Sequence, residues 1–212
     1  MIPASEALDL LREGNRRFVM NQSRAGSSSH QERRLSLVSG QEPFAIVLGC
    51  SDSRVPAELV FDQGFGDLFV IRVAGNIVAP SQVGSVEFAA AKFGTRLVVV
   101  IGHSQCGAIT ATLDELLGRS TTESRNLRSI VDRVRPSVES VLAGRDQRDY
   151  EALIRDAVRA NVRVSANHLR HGSELLERLV REDGLLVVGA EYALDSGVVT
   201  FFDGLETIAE AV

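Results

Sequence analysis

The chain has 212 residues, 44% hydrophobic and 24% charged, the balance of a soluble globular protein long enough for one domain with a full core. A formal charge of −5, no tryptophan and only 5% aromatic residues argue against a nucleic-acid partner. No segment approaches the roughly 20 apolar residues of a membrane span, so no membrane partner is expected either.

The first stretch, "MIPASEALDLLREGNRRFVMNQ", mixes acids and bases into an apolar periodicity. It predicts an amphipathic helix over 3–20 with Ala7, Leu8, Leu11, Phe18 and Val19 on its apolar stripe, not a signal peptide. A low-complexity patch, "SRAGSSSHQE" (23–32), joins it to a short helix over 31–39. Residues 1–40 thus read as a helical arm that packs on its own core or reaches a second subunit, and 41–212 as the main domain. The expected location is the cytoplasm, where thiols stay reduced and a Cys50–Cys106 disulfide is disfavoured.

From residue 44 short apolar runs alternate with helical patterns. The runs are "FAIVLG" (44–49), "LFVIRV" (68–73), "RLVVVIG" (96–102), "LLVVGA" (185–190) and "GVVTFF" (197–202). Between them lie "SVEFAAAKFG", "CGAITATLDELLG", "NLRSIVDRVRPSVESVLAG" and one long stretch, "RDYEALIRDAVRANVRVSANHLRHGSELLERLV". The arginines of that stretch are interleaved with acids and read as a solvated face. This order predicts an α/β fold: a mostly parallel sheet flanked by helices, with four parallel strands and a last, antiparallel edge strand after the turn "EYALDSG".

Polar residues collect at two strand ends. "LGCSDSRVPAE" (48–58) places Cys50 after the first run, and "GHSQCG" (102–107) places His103 and Cys106 after the third. Each cysteine alone reads as a nucleophile, a metal ligand or small buried filler. Sites in open α/β sheets form beyond the carboxyl ends of the strands. If these two strands are neighbours, their ends lie about 5 Å apart, and two thiolates and an imidazole can share one ion. Soft sulfur with imidazole favours zinc, and three protein ligands leave a coordination position for water, as catalytic sites do. Cys106 also opens a helix, whose N-terminal partial charge favours its thiolate, and Gly107 lets the backbone approach whatever occupies the crevice.

"CSDSRVPAE", followed about fifty residues later by "GHSQCGA" and with "GDLFVIRVAGNIV" between them, resembles the bacterial β-class carbonic anhydrases, a similarity running from about residue 40 to 205. The resemblance implies one zinc per chain on Cys50, His103 and Cys106, beside an Asp52–Arg54 dyad. It implies reversible hydration of carbon dioxide to bicarbonate and a proton by a zinc-held hydroxide. Asp52 would orient the attacking water, clamped bidentately by Arg54. It further implies a homodimer, often paired into a tetramer, with the N-terminal helices wrapping the partner. Phe69 and Ala74 would line the apolar substrate pocket with Gly107, and Gln41 would contact substrate across the dimer. In the family, breaking the aspartate–arginine pair lets the aspartate close the zinc site at lower pH. Some members couple that closure to a second bicarbonate site, of which Arg72 and Tyr192 match two members while Val47 replaces the tryptophan. His168 and His171 read as exposed helix residues.

Three alternatives stay open at this level. The scaffold could hydrolyse carbon disulfide or carbonyl sulfide instead. A cysteine phosphatase fits poorly, because Cys50 and Arg54 stand too close for a phosphate loop and His103 and Cys106 find no use. A non-catalytic zinc domain would need a fourth ligand, for which Asp52 is the candidate.

Overall fold

A computed structural model describes residues 2–24, 30–143 and 149–205. The N-terminal helices are α1 (Ala4–Val19) and α2 (His30–Ser36). Then follow β1 (Ala45–Gly49), α3 (Ala57–Val60), β2 (Leu68–Arg72), a 3-10 turn (Ala74–Asn76) and α4 (Pro80–Lys92). The second half comprises β3 (Leu97–His103), α5 (Gly107–Leu116), α6 (Arg125–Ala143), α7 (Tyr150–His171), α8 (Glu174–Glu182), β4 (Leu186–Tyr192) and β5 (Val199–Asp203).

The five strands form one sheet in the order β2-β1-β3-β4-β5. The first four are parallel and β5 runs antiparallel to β4 at the edge, as expected. Every residue of β1 and β3 is buried, because helices cover both faces of the sheet. On one face Ala45, Val47, Val99, Ile101 and Val188 pack with Phe61 and with Ala7, Leu8 and Leu11 of α1. On the other, Ile46, Leu48, Val98 and Val100 pack with Val86 of α4, Val162 and Leu169 of α7 and Leu176 of α8. A third cluster, Ile109, Leu113, Val134, Val138, Ile154 and Ala157, fills the space between α5, α6 and α7 and includes Cys50 and Cys106. No helix among the described residues is long and apolar enough to cross a membrane.

The N-terminal segment divides into two kinds of helix. α1 closes on its own chain: buried Asn15 donates to the carbonyls of Val60 and Gly197 (3.1 and 2.9 Å) and accepts from the Val199 amide (2.8 Å). Its stripe differs from the expected one, since Gly14 and Asn15 are buried while Val19 is 38% exposed. The helix lies so close to the Phe61 carbonyl that a Cβ at Gly14 would stand 1.8 Å from its oxygen. α2 buries none of its residues. The linker patch lies partly outside the described residues.

The long helical stretch expected over 148–180 is two helices. α7 ends at His171, Gly172 follows, and Ser173 restarts the chain by capping α8, accepting from the Leu176 amide at 3.2 Å. The short α3 and the 3-10 turn were not anticipated, being too brief to show a period.

Candidate metal centre

Strands β1 and β3 are hydrogen-bonded neighbours, with Gly49 opposite Ile101, so the loops that leave their carboxyl ends meet. β1 hands the chain to Cys50, β3 ends at His103, and Cys106 immediately precedes α5. The ligand atoms of Cys50, His103 and Cys106 all lie within 4.8 Å of one another. The three residues are 5%, 0% and 1% exposed, and both thiols are free.

The imidazole is oriented for ligation. Nδ1 of His103 lies 2.9 Å from the Ser104 carbonyl oxygen. Donating its proton there leaves a bare lone pair on Nε2, the tautomer that metal-binding histidines adopt. Nε2 is buried and has no hydrogen-bond partner. A buried polar atom left unpaired costs about 1–3 kcal/mol, so it calls for an explanation. Two sulfurs and one orphaned imidazole nitrogen, gathered in a buried cluster, fit a tetrahedral divalent ion with one position left over.

The two thiols differ in acidity. The neighbouring Cys106 thiol first, and then the Gly75 amide that donates to its sulfur at 3.3 Å, hold Cys50 well below the ordinary thiol range. Cys106 is pushed up, first by the neighbouring Cys50 and then by its burial. A cation bound between the two sulfurs would take the place of a proton there.

Beside the cluster Asp52 and Arg54 form a closed bidentate pair. Arg54 Nε donates to Oδ1 at 2.9 Å and Nη2 to Oδ2 at 2.7 Å, while the Arg54 amide donates to Oδ1 at 3.0 Å. These bonds hold the Asp52 carboxyl well below the usual carboxylate range. Its Oδ2 lies 3.8 Å from His103 Nε2, so the carboxylate borders the ligand cluster. Arg54 Nη2 also lies 3.5 Å from the Gln105 carbonyl and so spans both ligand loops.

The other expected site residues divide. Ala74 opens the 3-10 turn whose next residue, Gly75, donates its amide to Cys50 Sγ at 3.3 Å. Gly107 begins α5 with no atom within 4 Å of where a Cβ would stand. Phe69, by contrast, pairs with Ile46, four residues before Cys50 and so about 13 Å along the strand. It sits in an aromatic cluster with Phe88 and Phe93, ring centroids 6.2 and 6.1 Å away. Gln41 lines a surface groove with Leu37, Val38, Phe65 and the same Phe93. One chain therefore gathers the ligands, the dyad, Ala74 and Gly107, and carries Gln41 and Phe69 elsewhere.

Arg72 grips the first ligand loop, donating Nε to the Cys50 carbonyl (3.0 Å) and Nη2 to the Asp52 carbonyl (2.6 Å). Tyr192 stands opposite His103 on β4 and is 6% exposed, and Val47 is fully buried; both belong to the core on the α1 side. His168 and His171 are exposed on α7. Sequence reasoning missed the partners of the 3-10 turn, Asn161 and Ser165. A signal was present: 153, 157, 161, 165 and 169 fall on one stripe of α7, and two of those five buried positions are polar.

Comparison with known proteins agrees with this geometry. The family model described as carbonic anhydrase matches residues 45–199. Carbonic anhydrase 2 of Mycobacterium tuberculosis is 37% identical over 202 residues, covering 95% of this chain and 94% of its own. A carbonic anhydrase of Mycolicibacterium smegmatis is 38% identical over 200 residues, covering 94% of each. Among solved structures, the β-carbonic anhydrase CafA of Aspergillus fumigatus superposes with a TM-score of 0.74 at 25% identity, over 98% of this chain and 95% of its own. With its strand order and its buried Cys–His–Cys cluster, the chain belongs to the carbonic anhydrase family, as a bacterial enzyme of the β class.

Proposed function

We propose that the chain hydrates carbon dioxide reversibly to bicarbonate and a proton at a zinc ion held by Cys50, His103 and Cys106, with Asp52 and Arg54 as its working dyad. The observation that carries this reading is the buried, unpartnered Nε2 of His103 facing two reduced sulfurs. When bound, the ion supplies the Lewis acidity that makes water a nucleophile near neutral pH.

The chain's own residues supply orientation. Asp52, kept ionised by Arg54, retains lone pairs beyond those its partner uses and accepts a hydrogen bond from the attacking water, turning the water's own lone pair toward carbon dioxide. Arg54 holds the carboxylate off the ligand cluster. With that hold broken, Asp52 is near enough to His103 to fold onto the cluster and close it, so the dyad doubles as a gate. Gly107 leaves one side of the crevice open to a small linear substrate.

Gln41 and Phe69 act on this reading from a second copy of the chain, because one chain carries both away from its own ligand cluster. The assembly is then a homodimer, or a dimer of dimers, working in the cytoplasm. Mixing two defective variants tests the sharing. In a hybrid dimer of Gln41→Ala with Cys106→Ser, one site carries both lesions and the other neither, so about half the hybrid's sites recover. A mixture no more active than its parts would place Gln41 outside the partner's site.

The decisive test is metal content and carbon dioxide hydration by stopped flow above pH 8, for the wild type and Cys106→Ser. About one zinc per chain and rapid turnover are expected for the wild type, and loss of most of both for the variant. Zinc without turnover would favour a structural metal site.

A further inference from the structure

The buried stripe of α7 carries Leu153, Ala157, Asn161, Ser165 and Leu169. Burying an amide and a hydroxyl on such a stripe is costly unless both are hydrogen-bonded. Both are, and both to the same short segment. Asn161 Nδ2 donates to the Gly75 carbonyl at 2.7 Å, and Ser165 Oγ donates to the Asn76 carbonyl at 2.9 Å. The Gly75 carbonyl, which can only accept, fixes which end of the Asn161 amide faces the turn, and Ser137 Oγ lies 3.5 Å from the Oδ1 that then points away.

That segment is the 3-10 turn whose Gly75 amide donates to Cys50 Sγ. Gly75 has φ +71, and a Cβ there would stand 3.0 Å from the Ala108 Cβ. Glycine thus suits both the left-handed backbone and the close approach to the neighbouring helix. Glycine is also the residue whose torsions are least restrained, so the direction of its amide must be fixed from outside. The turn's own closure, from the Asn76 amide to the Val73 carbonyl at 3.1 Å, holds only one side. The grip of α7 on the next two carbonyls holds the other.

We propose that Asn161 and Ser165 are positioning residues of the metal centre, which by clamping the carbonyls of Gly75 and Asn76 aim the Gly75 N–H at the Cys50 sulfur. This rests on the metal-centre reading above. An N–H aimed at a thiolate draws density from one lone pair and leaves another directed at the ion. Outer partners of this kind are worth about 10- to 100-fold in metal affinity.

The test uses the intact chain loaded with Co(II), whose sulfur-to-cobalt charge-transfer band reports the thiolates directly, with affinity read by competition against a chromophoric chelator. Asn161→Ala and Ser165→Ala are each expected to move the band to longer wavelength, since a thiolate that loses its donor gives up charge more readily. Each is also expected to weaken Co(II) binding about tenfold or more. Leu169→Ala, on the same stripe but packed in the sheet core, is the control: it lowers folding stability and leaves the band in place. Wild-type protein without any such band would sink the metal-centre reading itself. A normal wild-type band that both variants keep, at unchanged affinity, would overturn the proposal, as would a shift shared equally by Leu169→Ala. Should Asn161→Ala fail to fold, Ser165→Ala decides alone.

Discussion

Two loops leave neighbouring strands at the same end of the sheet, and they are built in opposite ways. The loop after β3 is a backbone socket. The Ser104 amide donates to the Tyr192 carbonyl at 3.0 Å and the Leu194 amide to Ser104 Oγ at 3.0 Å, so the end of β4 and the chain after it pin it. It delivers two buried ligands, His103 and Cys106, into the start of α5. The loop after β1 is held by arginines instead: Arg72 grips two of its carbonyls and Arg54 its carboxylate. It delivers one ligand and the ionic pair, and Ser51, Ser53 and Arg54 are exposed. The socket is made to hold something still, whereas the ionic loop is made to present charge to solvent and to substrate.

The contrast predicts different failures. Cys106→Ser, in the socket, should lose metal and activity together, by about a thousandfold in rate or more (about 4 kcal/mol of barrier). Asp52→Asn and Arg54→Ala, in the ionic loop, should keep the metal and lose about 100-fold in hydration rate, the usual scale for removing a positioned acid–base group. Metal analysis beside stopped-flow hydration separates the two classes. If Asp52→Asn also emptied the site, the ionic loop would be part of the socket and the contrast would break.

A milder probe is pH. Cys50 is held below and Cys106 above the ordinary thiol range, so near pH 7 the metal-free chain is expected to keep one proton on the pair. Loading a cation must expel it. About one proton should be released per ion, and apparent affinity should rise about tenfold per pH unit until Cys106 ionises by itself. Calorimetry in buffers of different protonation enthalpy counts the proton, and zero release would mean that both thiols are already ionised. Asp52 has the opposite sign of consequence. Its carboxyl sits below the usual range, so it stays charged through mildly acid solution. A loss of activity between pH 6 and 8 should then track metal loading or movement of the dyad, not protonation of Asp52 in its Arg54-bound state.

What could be read in advance follows the same division. The strands were legible because β1, β3 and β4 are near-continuous apolar runs, whereas the adjacency of β1 and β3 stood only as a condition, since right-handed crossovers do not fix which strands are neighbours. Cys50, His103 and Cys106 were legible because chemistry-bearing residues stand directly at strand ends. Asn15, Asn161 and Ser165 were not, since each is a polar residue inside a helical pattern and its target is a backbone carbonyl far away in the chain. Backbone carbonyls carry no sequence signal. The break between α7 and α8 was hidden for a related reason: Gly172 and Ser173 interrupt a helical period that resumes at once. Gln41 was expected to act across the dimer and Phe69 in the substrate pocket; that one chain carries Phe69 about 13 Å along the strand from Cys50 was not legible, because such a distance must be counted from the register.

The smallest effect probes the rigidity of the socket itself. Gln105, between the two ligands of that loop, has φ +55, in the left-handed region where a side chain carries a strain of about 1–2 kcal/mol. Gln105→Gly removes that strain but gives the unfolded chain more freedom, and the two effects oppose each other. The net expectation is a gain of under about 1 kcal/mol, a rise in Tm of no more than about 2–4 °C, with metal affinity unchanged. The reasoning is that the hydrogen bonds to the end of β4 and the chain after it, together with the start of α5, already fix the positions of His103 and Cys106, so freedom at the residue between them should not reach the sulfur or the imidazole. Calorimetric melting of the metal-free chain, beside a metal titration, measures both halves. A Tm that rises while affinity falls several-fold would show that the stiffness of Gln105, not the pins from the β4 side, keeps the two ligands in place.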